Sequence, residues 1–169
     1  VFGNHDFAVD DKDKGSVAKA MGMQESYYSI GLRGWRLIFL DGTEVSTFRY
    51  PSDDPRTEKA EEERKSLQKS GVKQAVRWNG AMSAKQLGWL EQQLETSKVA
   101  NERVFVFNHF PVLPLVDGHN LWNAEELVKL LAQHDHVDAY MNGHNHQGNY
   151  LQQDGTHYLN FKGMVEGPV

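Results

Sequence analysis

The sequence predicts an α/β layered domain, and three observations predict it. Short apolar runs rich in β-branched and aromatic residues alternate with helical patterns, giving strand, helix, strand, helix, strand with added hairpins. The runs at residues 104–107 and 137–141 are almost free of polar interruption, the pattern of strands inside a sheet. Three histidine clusters each fall where such a run ends and a loop begins, and ligand sites in α/β sheets gather at the carboxyl ends of strands.

The elements follow in chain order. Val1-Phe2 reads as the last two residues of a strand that runs into Gly3-Asn4-His5-Asp6. Residues 16–21 form a short helix with Ser16 as N-cap. Residues 27–30 and 35–40 are two β-rich runs joined through Gly31-Leu32-Arg33-Gly34 into a hairpin, and Asp41-Gly42 ends the second. Residues 51–78 change character. Pro51 to Pro55 is turn-like, and residues 58–69 are densely charged with no apolar stripe. That segment is a solvent-exposed helix or a mobile insert, and serves either as a lid beside a site or as a plain charged insertion.

Ser83-Ala84-Lys85-Gln86 has the form of a capping box, and Leu87, Leu90 and Leu94 then recur at helical spacing, so the sequence predicts a helix over 84–96. Val104-Phe105-Val106-Phe107 predicts a strand buried on both faces. Asn123 starts a second helix carried by Leu127, Leu130 and Leu131, and 137–141 is the next buried strand. Tyr150-Leu151 and residues 158–161 flank Asp154-Gly155, a strong hairpin signal.

Composition narrows the function. The 169 residues suit one domain with one sizeable core. Eighteen basic against 23 acidic residues, a net charge of −5, give no electrostatic footprint for a nucleic-acid backbone. No apolar run approaches the roughly 18–20 residues that span a bilayer as a helix. The expectation is a cytoplasmic protein with neither nucleic acid nor membrane as partner. There is no cysteine, so a metal site must be built from His, Asn, Asp or Glu.

The clusters carry the chemistry. In Gly143-His144-Asn145-His146, histidines at i and i+2 can serve two adjacent metals or one, and the glycine lets the backbone turn sharply. In Asn108-His109-Phe110-Pro111, His109 directly follows a strand at the depth of a ligand, with Pro111 stiffening the exit. In Gly3-Asn4-His5-Asp6, Asn4 can offer its amide oxygen to a divalent ion, while His5 stays unligated and donates a proton to a leaving oxygen. Asp6 can hold the His5 tautomer, or, like Asn4, simply cap a turn. His134 and His136, behind the Asn123 helix, are read as structural or surface residues in which imidazolium suits the helix dipole. His157 is a cross-strand partner.

In this order and context the three clusters resemble calcineurin-like metallophosphoesterases. Tyr27-Tyr28-Ser29, Gly34-Trp35-Arg36-Leu37, Leu40-Asp41-Gly42, Trp78-Asn79-Gly80, Leu121-Trp122-Asn123 and His157-Tyr158-Leu159-Asn160-Phe161 extend the resemblance to the manganese-dependent ADP-ribose/CDP-alcohol diphosphatase branch. The resemblance implies a four-layer α/β/β/α sandwich holding two divalent metals, with Mn²⁺ foremost and Fe or Zn as alternatives. It implies that Asn4, His109 and His144 ligate one metal and His146 the other. It gives His5 the part of proton donor, and a metal-bridging hydroxide the part of attacking group on a small nucleotide-type substrate. A cyclic-nucleotide or other phosphodiesterase on the same scaffold, or a non-catalytic metal-binding domain, are the alternatives. His119 and Trp122 are candidate substrate contacts beside the site, and Trp78-Asn79 and Trp122-Asn123 flank loops near the rim, where either can line a base- or ribose-binding pocket.

The family pattern also includes an earlier Asp-x-His or Asp-x-Gln and a Gly-Asp-x-x-Asp. None of the 15 glycines is followed by Asp, and Asp117-Gly118-His119 stands after Asn108-His109, in the wrong order. The expectation is therefore that residues 1–169 form the C-terminal portion of a single such domain, lacking its N-terminal strands, with residues 51–78 a charged insertion. Such a piece would keep three ligands of one metal and one of the other, and be poorly active alone.

Overall fold

A computed structural model describes residues 1–115 and 118–164. These residues build one mixed sheet of six strands in the order β1-β2-β3-β4-β6-β5. β2 (Trp35–Phe39), β3 (Arg103–Phe107), β4 (Val137–Asn142) and β6 (Thr156–Asn160) run parallel. β1 (Tyr28–Leu32) and β5 (Asn149–Gln153) close the two edges in antiparallel pairs. The carboxyl ends of the four parallel strands therefore share one rim.

The β1–β2 hairpin is tighter than the four-residue turn expected. Leu32 pairs with Trp35, and Arg33 and Gly34 turn the chain at φ of 46° and 86°. Two left-handed residues give the two-residue turn whose twist suits adjacent strands, so Gly31 and Leu32 are drawn into β1.

Helices α3 (Ala84–Val99) and α4 (Ala124–Leu131) cover one face of the sheet. Leu87, Leu90, Leu94, Leu127 and Leu131 meet Ile38, Val104, Val106, Tyr140 and Tyr158 there in the main core. The Ser83 hydroxyl accepts from Gln86 N–H at 3.2 Å, half of the expected capping box. The Gln86 side chain takes no part in the other half. It is fully buried and grips the Asp41 backbone, accepting from its N–H at 2.8 Å and donating to its carbonyl at 3.0 Å. That pair anchors the loop after β2 to the start of α3.

The expectation of a strand buried on both faces needs correction. Val104 and Val106 are buried, but Phe105 and Phe107 point to the other face and are only half-buried. There Trp35 stacks on Phe105 at 4.6 Å, Phe39 on Phe107 at 4.9 Å and Tyr28 on Phe39 at 4.8 Å. The rings shield one another across neighbouring strands, so an unbroken apolar run coexists with one helix-covered face. The described residues thus supply one helical layer and one sheet of the expected four layers.

The charged segment is a docked helix, α2 (Pro55–Lys69), rather than a mobile insert. Asp54 caps it by accepting from Arg56 N–H at 2.8 Å, and Pro55 fills its first position. Ala60 and the stem of Arg64 are buried, and Ala60 packs with Ala75, Ala81 and Trp122. Ala60, Arg64 and the half-buried Leu67 make a narrow docking stripe where a broad apolar one was sought. Near the start, Asp11–Ser16 is a 3₁₀ turn leading into the short α1 (Val17–Ala20). Ser16 precedes it as expected, but its hydroxyl donates to the Asp13 carbonyl at 2.7 Å instead of capping. Val1 and Phe2 lie outside any strand, and Phe2 is an anchor, fully buried against Phe7 and Val17. Among the described residues no helix is long and apolar enough to cross a membrane.

Candidate metal centre

Asn4, His109 and His144 meet on the rim at the carboxyl ends of the parallel strands. Asn4 sits in a 3₁₀ turn (Asn4–Phe7), His109 two residues after β3, and His144 two residues after β4. His109 Nε2 is 3.1 Å from Asn4 Oδ1 and 3.1 Å from His144 Nδ1. The 35 residues between His109 and His144 are closed by the pairing of β3 with β4, and the 105 between Asn4 and His109 by the packing of the Phe2 and Phe7 turn.

Local chemistry explains each placement. The Asn108 amide oxygen accepts from the His109 N–H at 2.7 Å, which turns the chain out of β3. Gly3 leaves room for His109, since a Cβ there would stand 2.8 Å from the imidazole ring. Gly3 N–H donates to the Asp6 carboxylate at 2.7 Å, so Asp6 closes the 3₁₀ turn that presents Asn4 and His5. After β4 the sharp turn falls on His144 itself, at φ 68°, not on Gly143. A left-handed non-glycine residue costs on the order of 1–3 kcal/mol, and such strain collects at functional sites.

The proton positions at His144 follow from its neighbour Asn79, which is fully buried. The two Nδ2 hydrogens of Asn79 are shared among three carbonyls, those of Gln74 (3.0 Å), Gly118 (3.1 Å) and Asn120 (2.9 Å). Its orientation is therefore fixed, and its Oδ1, which can only accept, lies 2.8 Å from His144 Nε2. The Nε2 must carry the proton, which leaves the His144 Nδ1 lone pair turned toward His109 and Asn4. Burial lowers both rings' proton affinity, His109 to about 4 and His144 to about 3, so both are neutral at physiological pH. An amide oxygen and two neutral imidazoles in this arrangement fit a divalent cation, and Mn, Fe or Zn suits the donors. Among the described residues no three His, Asp or Glu groups converge, because the third donor is the Asn4 amide.

A cleft of about 490 Å³ opens over this triad, lined by Asn4, His5, Trp78, His109, His119, His144, Asn145, His146 and Gln147. His5 and His146 are exposed within it. The His146 ring lies on Gly163, where a Cβ would stand 2.8 Å from it. His119 faces His144 with ring centroids 5.8 Å apart, while Asp117 of the same motif lies outside the described residues.

Trp122 is placed elsewhere. It is 2% exposed, packs under α2, and donates its indole N–H to the Val76 carbonyl at 3.0 Å. Trp78 lines the cleft in its stead. Asn79 is legible in the sequence as a rim residue beside Trp78, but its role behind His144 is not, because that partner is 65 residues away. His134 and His136 are buried, which gives the structural of the two readings, structural or surface, and burial lowers the proton affinity of His134. His136 uses its Nε2 on the Leu94 carbonyl at 3.0 Å. His157 pairs across the β5–β6 ladder with Gln152, and its Nδ1 is 2.8 Å from the Tyr150 hydroxyl.

Comparison with known proteins matches this geometry to one family. A calcineurin-like phosphoesterase family model matches residues 1–148. A relative from Arabidopsis thaliana, named manganese-dependent ADP-ribose/CDP-alcohol diphosphatase, is 30% identical over 148 residues, covering 79% of this chain and 48% of its own. One of the same name from Xenopus tropicalis is 42% identical over 98 residues, 56% of this chain and 29% of its own. The chain thus spans about half the length, or less, of these curated relatives. In fold it is similar to a dimetal phosphatase from Danio rerio, with a TM-score of 0.84 and 23% identity, over 99% of this chain and 61% of that one. By its strand-end motifs and by a match that runs through all of them, the chain belongs to the calcineurin-like phosphoesterase family.

Proposed function

We propose that this chain supplies one side of the dinuclear centre of a Mn²⁺-dependent diphosphatase acting on nucleoside diphosphate-linked compounds such as ADP-ribose or CDP-alcohols. The observation that carries it is the convergence of Asn4 Oδ1, His109 Nε2 and His144 Nδ1. The branch follows the relatives, which bear that name. In this reading Asn4, His109 and His144 hold one cation and His146 reaches the other. Paired cations supply a nucleophile from water and neutralise charge on the phosphoryl oxygens. His5, exposed on the cleft wall and outside the triad, protonates the leaving oxygen, and Asp6 sets the backbone turn that aims it. His119 lies where it can meet the substrate.

The experiment is a substrate panel on the full-length protein with Mn²⁺. Release of AMP from ADP-ribose and of CMP from CDP-alcohols, with cyclic AMP left intact, is the expected result. Cleavage of cyclic AMP with ADP-ribose untouched would move the protein to the phosphodiesterase reading.

A further inference from the structure

We infer that Trp78 is a stacking platform for the base of the substrate, a built aromatic subsite beside the metal centre. The inference rests on the diphosphatase reading for its substrate class, and on separate observations for the subsite.

Among the four tryptophans Trp78 stands apart. It is 51% exposed, whereas Trp122 is buried and Trp35 and Trp89 are partly so. Leaving half an indole in water forgoes the burial that normally places this residue. Yet Trp78 is held. Its indole N–H donates to the Gly118 carbonyl at 2.8 Å, and the ring edge lies in ordinary contact range of Gly118, where a Cβ would be 3.9 Å from Cζ2. The backbone behind it is locked as well, because Asn79 makes three bonds to carbonyls and a fourth to His144. A fixed ring with its polar atom satisfied and its surface open to a cleft has the form of a recognition surface, since the cost of ordering it is met before a ligand arrives.

The place of the ring sets what it can take. Asn79 is the next residue and bonds His144, so the platform and the metal ligands are parts of one rigid unit in one cleft. A phosphoryl group on the triad brings the nucleoside end of the substrate to the cleft wall where Trp78 stands. Stacking suits substrates that differ in their base, because every base offers a π-face, whereas hydrogen-bond reading of a base edge would favour one of them. The platform thus accepts a purine or a pyrimidine alike.

Kinetics and binding on the full-length Mn²⁺-loaded protein test this with Trp78→Leu and Trp78→Phe. ADP-ribose, CDP-choline and a base-free dialkyl diphosphate are the substrates. The expected result is a KM for both nucleotides raised about tenfold or more in Trp78→Leu, with kcat much less affected and Trp78→Phe close to wild type. The ratio of kcat/KM for nucleotide over base-free substrate falls by the same factor. Titration with AMP should quench indole fluorescence in the wild type and lose that component in Trp78→Leu. An equal loss on nucleotide and base-free substrates would overturn the platform, as would AMP quenching that survives in Trp78→Leu. If the wild type cleaves no diphosphate but AMP quenches Trp78, the diphosphatase reading fails and the platform stands. If ADP-ribose is cleaved and Trp78→Leu is indifferent to the base, the reverse holds.

Discussion

At the scale of the residue, the site depends on side chains whose partners fix their protonation. Asn79 is the sharpest case, since four bonds leave its carbonyl oxygen facing only the Nε2 of His144. Asn79→Leu removes the acceptor and frees the ring to change tautomer. We expect Mn²⁺ affinity to fall about 10- to 100-fold, measured by calorimetry, the usual cost of losing a partner behind a ligating histidine. His5→Ala should behave in the opposite sense, with Mn²⁺ affinity kept and kcat reduced about 10²- to 10⁴-fold. A loss of Mn²⁺ binding in His5→Ala would make His5 a ligand instead. The lowered values of His109 and His144, about 4 and about 3, set a pH dependence for the metal-free protein. Each ring takes a proton below about 6.5 in the unfolded chain but only below about 4 (His109) and about 3 (His144) in the folded one, so their contribution to stability is lost as pH drops from about 6.5 to about 3. Carboxylates with lowered values, such as Glu61 and Asp54 at about 2, begin to lose theirs only below about 4.5, so the decline above that pH belongs to the histidines. Urea midpoints from pH 7 to 4 in chelator should show the decline, and it should flatten in a His109→Ala/His144→Ala double variant.

At the scale of the element, helix α3 does two jobs. Its Leu87, Leu90 and Leu94 face fills the core over β2 and β3, and its Gln86 holds Asp41 at the end of β2. Leu90 is fully buried, so Leu90→Ala should lower stability by about 2–5 kcal/mol in urea unfolding, while Val99→Ala, at an 89% exposed position, should change it little. The loop after β2 adds a buried pair, in which Arg49 reaches the Asp41 carboxylate at 2.8 Å and lies 5.0 Å from the ring centres of Phe2 and Phe7. Burial pushes Asp41 above the usual carboxylate range while Arg49 opposes it. Helix α2 had looked polar all round, yet it docks through Ala60, the buried Arg64 and the half-buried Leu67, a narrow stripe at i, i+4 and i+7. Periodicity reports such a contact weakly, since only Leu67 of the three is large and apolar.

At the scale of the whole molecule, the described residues gather a three-donor set for one cation, with His5, His119 and His146 lining the same cleft. The 169-residue chain is therefore expected to bind about one Mn²⁺ per molecule tightly. Equilibrium dialysis checks this, and two tightly bound ions per molecule would refute it. The stacked rings on the uncovered sheet face belong to the same scale. They are shared among β1, β2 and β3, so no single strand shows why they are there.

The sequence by itself determined the alternation of strands and helices, the helix-covered core positions, and the candidate residues Asn4, His5, His109, His144 and His146, which the fold brings to one cleft. These are local facts: apolar period sets an element, and a polar residue just past a strand must sit on the rim. What only the tertiary structure decided depends on partners distant in the chain. It assigned the Nε2 proton of His144 through Asn79, put the backbone strain on His144 and not Gly143, gave the cleft wall to Trp78 and the core to Trp122, and left one face of the β3 run outside the helical core. A hydrogen bond across 65 residues or a ring packed under another helix is fixed by how the strands are ordered in the sheet, and that order is written in no single segment.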